Sequence, residues 1–335
     1  MSRGLFRFFL LASCVCGGVL WGCQSPVFRY ALERWRPGIW ELVIVSSGEL
    51  SSEQQRGLEQ LEEAARDGLP LQVRRIDLGA VGESERRVWE PILERGGAKD
   101  GVVAAALYPR SSTVDQPLGC LIPFTSELAG EVISSPVRVE LVRRLSAGQS
   151  AVWLFVDSGD READEAAYGR LEEQLRRDVK RLKLPTAKEL LVSEEYLRQL
   201  RIPLKLEFSV IRLRRDDVRE RFLVDCLLNS EDDLRGLGEP LAFPVFGRGR
   251  VLYALAGQGI SAATIAEASD FLTGACSCEI KEQNPGFDLL LRGDWSSALG
   301  ERMLSSPIPS EGVSPKLLAI PPGRGSGGES KSRER

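Results

Sequence analysis

Hydrophobic positions along the chain alternate between the period of strands and the period of helices. Residues 40–45 form an apolar, β-branched run that predicts a buried strand, and Leu58, Leu61 and Ala65 then recur on one helical face. The same patterns predict further elements, namely strand 71–78, helix 83–94 interrupted near Pro91, strands 102–108 and 119–123, and a helix starting at Ser135-Pro136. This alternation is typical of an α/β fold.

The pattern starts again after Gly148. Residues 151–156 predict another buried strand, a long helix follows from Arg161, and residues 204–210 alternate between apolar and polar positions. The remaining predicted elements are a helix capped by Asp216 or Asp217 and ending at Asn229, strands 240–246 and 251–256 around Gly247-Arg248-Gly249, a helix over 262–273, and a hairpin of strands 276–281 and 287–291. Residues 43–49 resemble residues 154–160 in sequence, which indicates an internal duplication.

The N-terminus has the features of a secretory signal. Arg3 and Arg7 precede an apolar run at residues 8–20, which is shorter than the roughly 20 apolar residues of a membrane-spanning helix and ends in Leu20-Trp21-Gly22-Cys23. A cysteine directly after the signal-peptide cleavage site is a further feature of a bacterial lipoprotein, because its thiolate accepts the diacylglyceryl group. We therefore predict a signal peptide at residues 1–22 and lipidation of Cys23. The bulky Trp21 departs from the pattern, and the alternatives are a plain cleaved signal or an uncleaved anchor.

Lipidation would hold the mature chain on the periplasmic face of a membrane. Several acyl chains on one cysteine, palmitate among them, give stable anchoring where a single chain would be marginal. An Asp after the lipidated cysteine commonly signals retention in the inner membrane, so Gln24 favours the outer membrane. The aromatic and basic segment within residues 23–38 is predicted to form a helical turn in a membrane-proximal linker.

Composition narrows the possible functions. Hydrophobic residues make up 43% of the chain and charged residues 27%, which is typical of folded domains. The formal net charge is −4, and removing Arg3 and Arg7 with the signal makes it −6, so nucleic acid is not a predicted partner. The chain contains no histidine, which excludes Ser-His-Asp and Cys-His catalysis and His-ligated metals.

Four cysteines remain in the mature chain besides Cys23. Cys120, Cys226, Cys276 and Cys278 could form two disulfides with three possible connectivities. Cys276 and Cys278 would share one face of a strand, where they could bind a soft metal, exchange disulfides or pair separately with Cys120 and Cys226. The four-residue spacing of Val218, Phe222 and Cys226 instead indicates that Cys226 is a core residue of a helix.

The element order of residues 151–273 resembles a thioredoxin-like domain. That family has a cis-proline before its third strand, a glycine turn before the fourth, and a glycine before the last helix. Pro240, the pair Gly247 and Gly249, and Gly257 are similarly placed, although Pro244 within the strand departs from the pattern. Residues 40–148 fit the same order less well. The resemblance implies two tandem thioredoxin-like units, each with a central mixed sheet flanked by helices.

The functional residues of thioredoxins do not carry over with the fold. Their Cys-x-x-Cys pair stands at the start of the first helix, and the corresponding residues 47–50 and 158–161 contain no cysteine. The whole chain also resembles a group of uncharacterised bacterial envelope lipoproteins that carry a Phe-Arg-Tyr-Ala-Leu-Glu-Arg-Trp segment after the lipobox, matched here by residues 28–35. That group implies an envelope location and no particular activity.

We accordingly predict a thioredoxin-like unit at residues 39–149, a second at residues 150–304 with a C-terminal hairpin, and a disordered tail at residues 305–335. No catalytic or cofactor-binding residue is predicted, and the acidic turns 157–160 and 231–233 lack the ligand spacing of a calcium loop. The expected function is a non-catalytic protein-binding or assembly module whose partner is another envelope protein. The alternative is a thiol-disulfide redox protein that uses Cys276 and Cys278.

Overall fold

The computed structural model describes residues 24–109, 118–276, 281 and 286–305, and it shows an α/β protein with two mixed sheets flanked by helices. The α/β class predicted from the sequence is therefore confirmed. Cys23, Cys278, the signal peptide and residues 306–335 of the predicted tail lie outside the described residues. The first half of the chain, which contains the first sheet, has the elements α1 (Val27–Arg34), β1 (Trp40–Ser46), α2 (Ser52–Arg66), β2 (Leu71–Asp77), α3 (Glu83–Gly96), β3 (Val102–Leu107), β4 (Leu118–Pro123) and α4 (Ser126–Ile133) in that order.

The second sheet follows in the second half of the chain. Its elements are α5 (Pro136–Ser146), β5 (Ala151–Val156), α6 (Arg161–Arg181), α7 (Glu194–Arg198), β6 (Phe208–Leu213), α8 (Arg221–Leu228), β7 (Leu241–Phe246), β8 (Arg250–Val251), β9 (Leu255–Ala256), α9 (Ala262–Thr273), β10 (Phe287–Asp288) and α10 (Trp295–Leu299). Among the described residues, no helix is both long enough and apolar enough to cross a membrane.

The two sheets share one topology. The first has the strand order β2-β1-β3-β4, and the second has the order β6-β5-β7-β8 with β10 beyond β8 and β9 also paired to β7. In both, the first strand of the unit lies between a parallel and an antiparallel neighbour. This common arrangement fits the internal duplication that the repeated turn sequence indicates.

Local sequence signals explain where the main helices begin. Ser51 accepts a hydrogen bond from the Gln54 backbone N–H, and the Gln54 side chain accepts one from the Ser51 N–H, which together form a capping box at α2. Asp160 accepts bonds from two backbone N–H groups at the start of α6. Ser261 and Thr264 form a second capping box at α9.

Several predicted elements differ from those observed. The predicted strand 251–256 is divided into β8 and β9, because Pro244 in the neighbouring β7 has no N–H to donate to that side of the ladder. The predicted strand 204–210 begins only at Phe208, opposite the first residue of β5. The predicted strand 287–291 is the two-residue β10, which pairs with β8. Its predicted partner, residues 276–281, lies largely outside the described residues.

Two helices also differ from prediction. α4 was not predicted, because it has only eight residues and its start is marked by a single cap, Thr125, which accepts a bond from the Leu128 N–H. α3 runs unbroken through Pro91, which is exposed to solvent. Pro240 lies directly before β7 as the resemblance requires, but none of the described peptide bonds is cis.

The hydrophobic cores link the two units. β1 directs Trp40, Leu42 and Ile44 to a core that also contains Phe222 and Cys226 from α8. The opposite face of the first sheet is covered by α3. In the second unit, α5 and α8 cover one face of the sheet, and α1, α6 and α9 cover the other. α5 thus packs against the second sheet, although the sequence places it before the boundary at residue 150.

Candidate functional site

The structure separates the cysteines that the sequence singled out. Cys120 on β4 and Cys226 on α8 are free thiols in the core between the two units. Cys276 is buried in a different core, on the face of the second sheet that carries α1. Cys278, the other member of the predicted redox pair, lies outside the described residues.

The environment of Cys120 and Cys226 disfavours their reactive form. Burial raises the pKa of both thiols, with a smaller contribution from their mutual repulsion in the case of Cys120. Burial likewise raises the pKa of Tyr108, whose hydroxyl donates a hydrogen bond to the Cys226 carbonyl oxygen. Since the thiolate is the nucleophile in disulfide exchange, these two thiols are protected from redox chemistry while the protein is folded.

The turn before α6, at residues 157–160, is closed by an internal carboxylate. Asp164 is 3% exposed and accepts hydrogen bonds from the Ser158 hydroxyl and N–H at 2.7 Å and from the Gly159 N–H at 3.1 Å. Asp157 at the end of β5 pairs with Arg212 at 2.7 Å. The backbone donors of this turn are therefore already bound to the protein itself.

The equivalent turn before α2 is closed in a similar way. Gln54 is 6% exposed, and its side-chain nitrogen donates to Asp100 at 2.5 Å, while its oxygen accepts from the Ser51 N–H. The Ser47 N–H donates to the Gly101 carbonyl oxygen. Both strand-to-helix turns are thus stabilised by their own side chains. Within the described ranges, no group of three acidic or cysteine residues could hold a metal ion.

The most distinctive arrangement of charged and aromatic groups surrounds α1. Seven of its eight residues are buried, which is unusual for a helix that contains Arg29 and Glu33. Phe28, Tyr30, Ala31 and Trp35 pack into the core formed with α6 and α9. Leu32 points into the other core of the second unit. The segment at residues 28–35 is therefore a central structural element of this protein.

Arg29 and Glu33 form a buried ion pair one helical turn apart. Arg29 Nε donates to the Glu33 carboxylate at 2.6 Å, and Arg29 Nη1 donates to the Ile202 carbonyl oxygen at 2.7 Å. The Glu33 carboxylate also accepts bonds from the Leu304 N–H at 3.0 Å and from the Ser305 N–H and hydroxyl at 2.7 and 2.6 Å. The C-terminal end of the described chain is thus attached to the N-terminal helix.

The hairpin between β7 and β8 holds the C-terminal end of α1. Arg248 donates to the carbonyl oxygens of Leu32 at 2.8 Å and Glu33 at 3.0 Å, which satisfies two groups that a helix end leaves without partners. A side chain at Gly247 would lie 2.8 Å from Ala31, and its φ of +60° also favours glycine. The turn predicted from Gly247-Arg248-Gly249 therefore has a second role as a helix support.

The N-terminal end of α1 is attached to the end of α9. Pro26 and Ala275 form an isolated antiparallel bridge, in which the Val27 N–H donates to Gly274 at 3.0 Å and the Cys276 N–H donates to Ser25 at 2.9 Å. Ser25 is 2% exposed. Burial among the described residues therefore begins at Ser25, inside the segment that the sequence predicts to be a linker.

A further charged cluster, around Asp288, links the two units. The Asp288 carboxylate is 6% exposed and contacts Arg250, Lys281 and the Gly38 N–H, the last at 2.7 Å. The Trp40 indole N–H donates to the Asp288 carbonyl oxygen at 3.0 Å. This carboxylate is neutralised by internal cations, so it fixes the segment between α1 and β1 instead of presenting an open binding site.

Part of this arrangement has a signal in the sequence. Arg29 and Glu33 stand at i and i+4, the spacing of a helical ion pair, and the buried positions around them follow the same helix. Their partners at Ile202, Arg248 and Ser305 have no such signal, because they are contributed by distant segments.

No family model matches the chain, and no curated protein shows significant similarity to it.

Proposed function

We propose that this chain is a lipid-anchored envelope protein that acts as a non-catalytic binding or assembly module. The observation that carries the proposal is the position of α1. Its first residues are tied to α9 immediately after the predicted lipidation site, and its last residues are tied to Arg248 and Ser305. Such an arrangement would transmit the position of the anchor directly to the folded body.

We further propose that both units are degenerate thioredoxin-like domains, periplasm-facing and held at the outer membrane in preference to the inner. The repeated strand topology and the placement of Pro240, Gly247 and Gly257 support the fold assignment. The closed turns at Asp164 and Gln54 support the loss of the family's redox role, since their donors and carboxylates bind one another. A partner would therefore engage the outer surface of the protein, and we expect it to be another envelope protein.

The anchor is tested by expressing the full chain and the variant Cys23→Ser with radiolabelled palmitate. We expect label in the wild-type protein and its recovery with membranes, and neither in the variant. Label in both chains would contradict lipidation at Cys23. Fractionation of the wild-type protein on a density gradient then distinguishes the outer from the inner membrane.

The binding role is separated from the redox role by capture of partners in the native envelope. The lipidated wild-type protein and Cys276→Ser are crosslinked with an amine-reactive reagent and purified with and without a thiol reductant. A non-catalytic module retains the same partner in all four samples. A partner that is lost on reduction and absent from the variant would instead establish the redox alternative based on Cys276 and Cys278.

A further inference from the structure

Basic residues are concentrated at the C-terminal end of α6. Five cations occur within residues 176–183, namely Arg176, Arg177, Lys180, Arg181 and Lys183. The one acidic residue among them, Asp178, has a fully buried side chain, whereas Val179 is 41% exposed. This local excess of positive charge contrasts with the net charge of −6 expected for the mature chain.

Ion pairs neutralise only part of this basic cluster. Arg176 and Arg177 each contact a glutamate one turn earlier, and Arg181 contacts Asp178 and Asp270 at 2.9 and 2.7 Å. Lys180 and Lys183 are exposed, and no carboxylate in the described part of the chain lies within ion-pair distance of either. Two ammonium groups therefore remain available to an external anion.

The cluster lies next to the point where the chain leaves the body towards Cys23. Arg181 contacts Asp270, which is one turn of α9, or about 6 Å, before Gly274. Gly274 accepts the hydrogen bond from Val27 that starts α1. Because Ser25 is buried, at most about 7 Å of extended chain separates it from Cys23. A lipid on Cys23 would thus hold this side of the protein at the bilayer.

We propose that the surface formed by the C-terminal ends of α6 and α9 rests on the membrane and that Lys180 and Lys183 bind anionic phospholipid headgroups. The inference rests on the proposed lipidation of Cys23. A cation beside an anionic membrane surface strengthens binding about fivefold, so the two lysines would bias the anchored body towards one orientation. The exposed Val179, which directly precedes Lys180, would contact the apolar part of the interface.

The experiment uses the mature lipidated protein in vesicles, with a membrane-impermeant amine-acylating reagent as the probe. Acylation of each lysine is measured by mass spectrometry in vesicles of phosphatidylglycerol and in vesicles of phosphatidylcholine. We expect Lys180 and Lys183 to be protected in the anionic vesicles and Lys99, in the loop before β3, to react equally in both. Salt at about 1 M should remove the protection, because it screens exposed charges beyond about 3 Å.

Single substitutions make each lysine a reporter for the other. Lys180→Gln should lower the protection of Lys183 about fivefold, and Lys183→Gln should do the same for Lys180, whereas Lys99→Gln should change neither. Equal reactivity in both vesicle types, in protein that sediments with the vesicles, would overturn the membrane surface while leaving the anchor intact. Protein that fails to sediment would overturn the anchor itself. Protection that requires an added envelope protein would assign the cluster to that protein instead.

Discussion

The helices α3 and α8 occupy equivalent places in the two units, since each follows the second strand of its sheet and precedes the third. α3 has fourteen residues and only Trp89 among them is buried, whereas α8 has eight residues of which six are buried. The reason is that α8 lies between the units. Phe222 and Cys226 belong to the core of the first sheet, and Leu223 and Leu227 belong to that of the second. Two helices at equivalent places in the same topology can therefore contribute very differently to stability.

The strongest test of this difference is Phe222→Ala. Phe222 is 3% exposed, its ring centroid is 6.1 Å from that of Trp40, and the Arg138 guanidinium lies 5.3 Å from it. Loss of the ring should lower the free energy of unfolding by about 3–5 kcal/mol. Amide hydrogen exchange should accelerate in β1 and in β5, because α8 packs against both sheets.

The matched control is Trp89→Ala in α3, which should accelerate exchange in β1 and β3 and leave β5 protected. If Phe222→Ala accelerated exchange in only one of the two sheets, the role of α8 as a shared helix would be wrong. Chemical denaturation of both variants provides the corresponding free energies of unfolding.

A second test removes the charge of Glu33 and so asks whether α1 supports one unit or both. Glu33→Gln leaves the buried Arg29 guanidinium without its ionic partner, which should lower the free energy of unfolding by about 3 kcal/mol. Because α1 packs on the second sheet, exchange should accelerate in β5 and β7 more than in β1. The exposed pair of Glu53 and Arg56 supplies a control, and Glu53→Gln should lower the free energy of unfolding by less than about 1 kcal/mol.

The smallest expected effect concerns Glu140 on α5, at the second sheet. Hydrogen bonds from Arg143 and Arg144 lower the pKa of Glu140 to about 2. A carboxyl group whose pKa is lower in the folded state stabilises the protein above its unfolded pKa of about 4.5. That contribution is lost as the pH falls towards 2.

Because 32% of the Glu140 side chain is exposed to solvent, which screens the charges, the contribution should be below about 1 kcal/mol. Thermal unfolding measured between pH 5 and pH 2 should show a slightly steeper loss of stability for the wild type than for Glu140→Gln. Identical slopes would show that these hydrogen bonds make no net contribution in solution.

Strands with a continuous apolar run, and helices with one buried face or a clear cap, were predictable from the sequence. β1 and β5 followed from their apolar runs, and α2 and α9 followed from the spacing of their apolar positions and from Ser261 as a cap. The burial of Cys226 was also predicted correctly from its place on a helix, although Val218 of the same pattern is 74% exposed. Helical periodicity predicts the buried face only within a regular helix, and Val218 lies before the start of α8.

The contacts around α1 could not be predicted from the sequence, because they join residues far apart in the chain. Glu33 meets Ser305 across 272 positions, and neither residue has a local signal for the other. The sequence of α1 has the amphipathic pattern of a surface helix, yet the charged Arg29 and Glu33 are buried along with its apolar residues. Because the distant partners of α1 are not evident from the sequence, this short charged and aromatic segment was predicted to be part of a linker.

The attachment of α1 to Gly274, Cys276 and Ser305 has a consequence for how an exported chain would mature. If the chain is exported as we propose, its mature N-terminus would emerge first, whereas the partners of α1 would be among the last residues to arrive. The bridge at Pro26 could then form only after most of the chain had crossed the membrane, and closing so large a loop is slow. In that interval Cys23 would remain accessible to the enzyme that lipidates it and to the peptidase that cleaves the bond before it. Docking of α1 would complete folding afterwards.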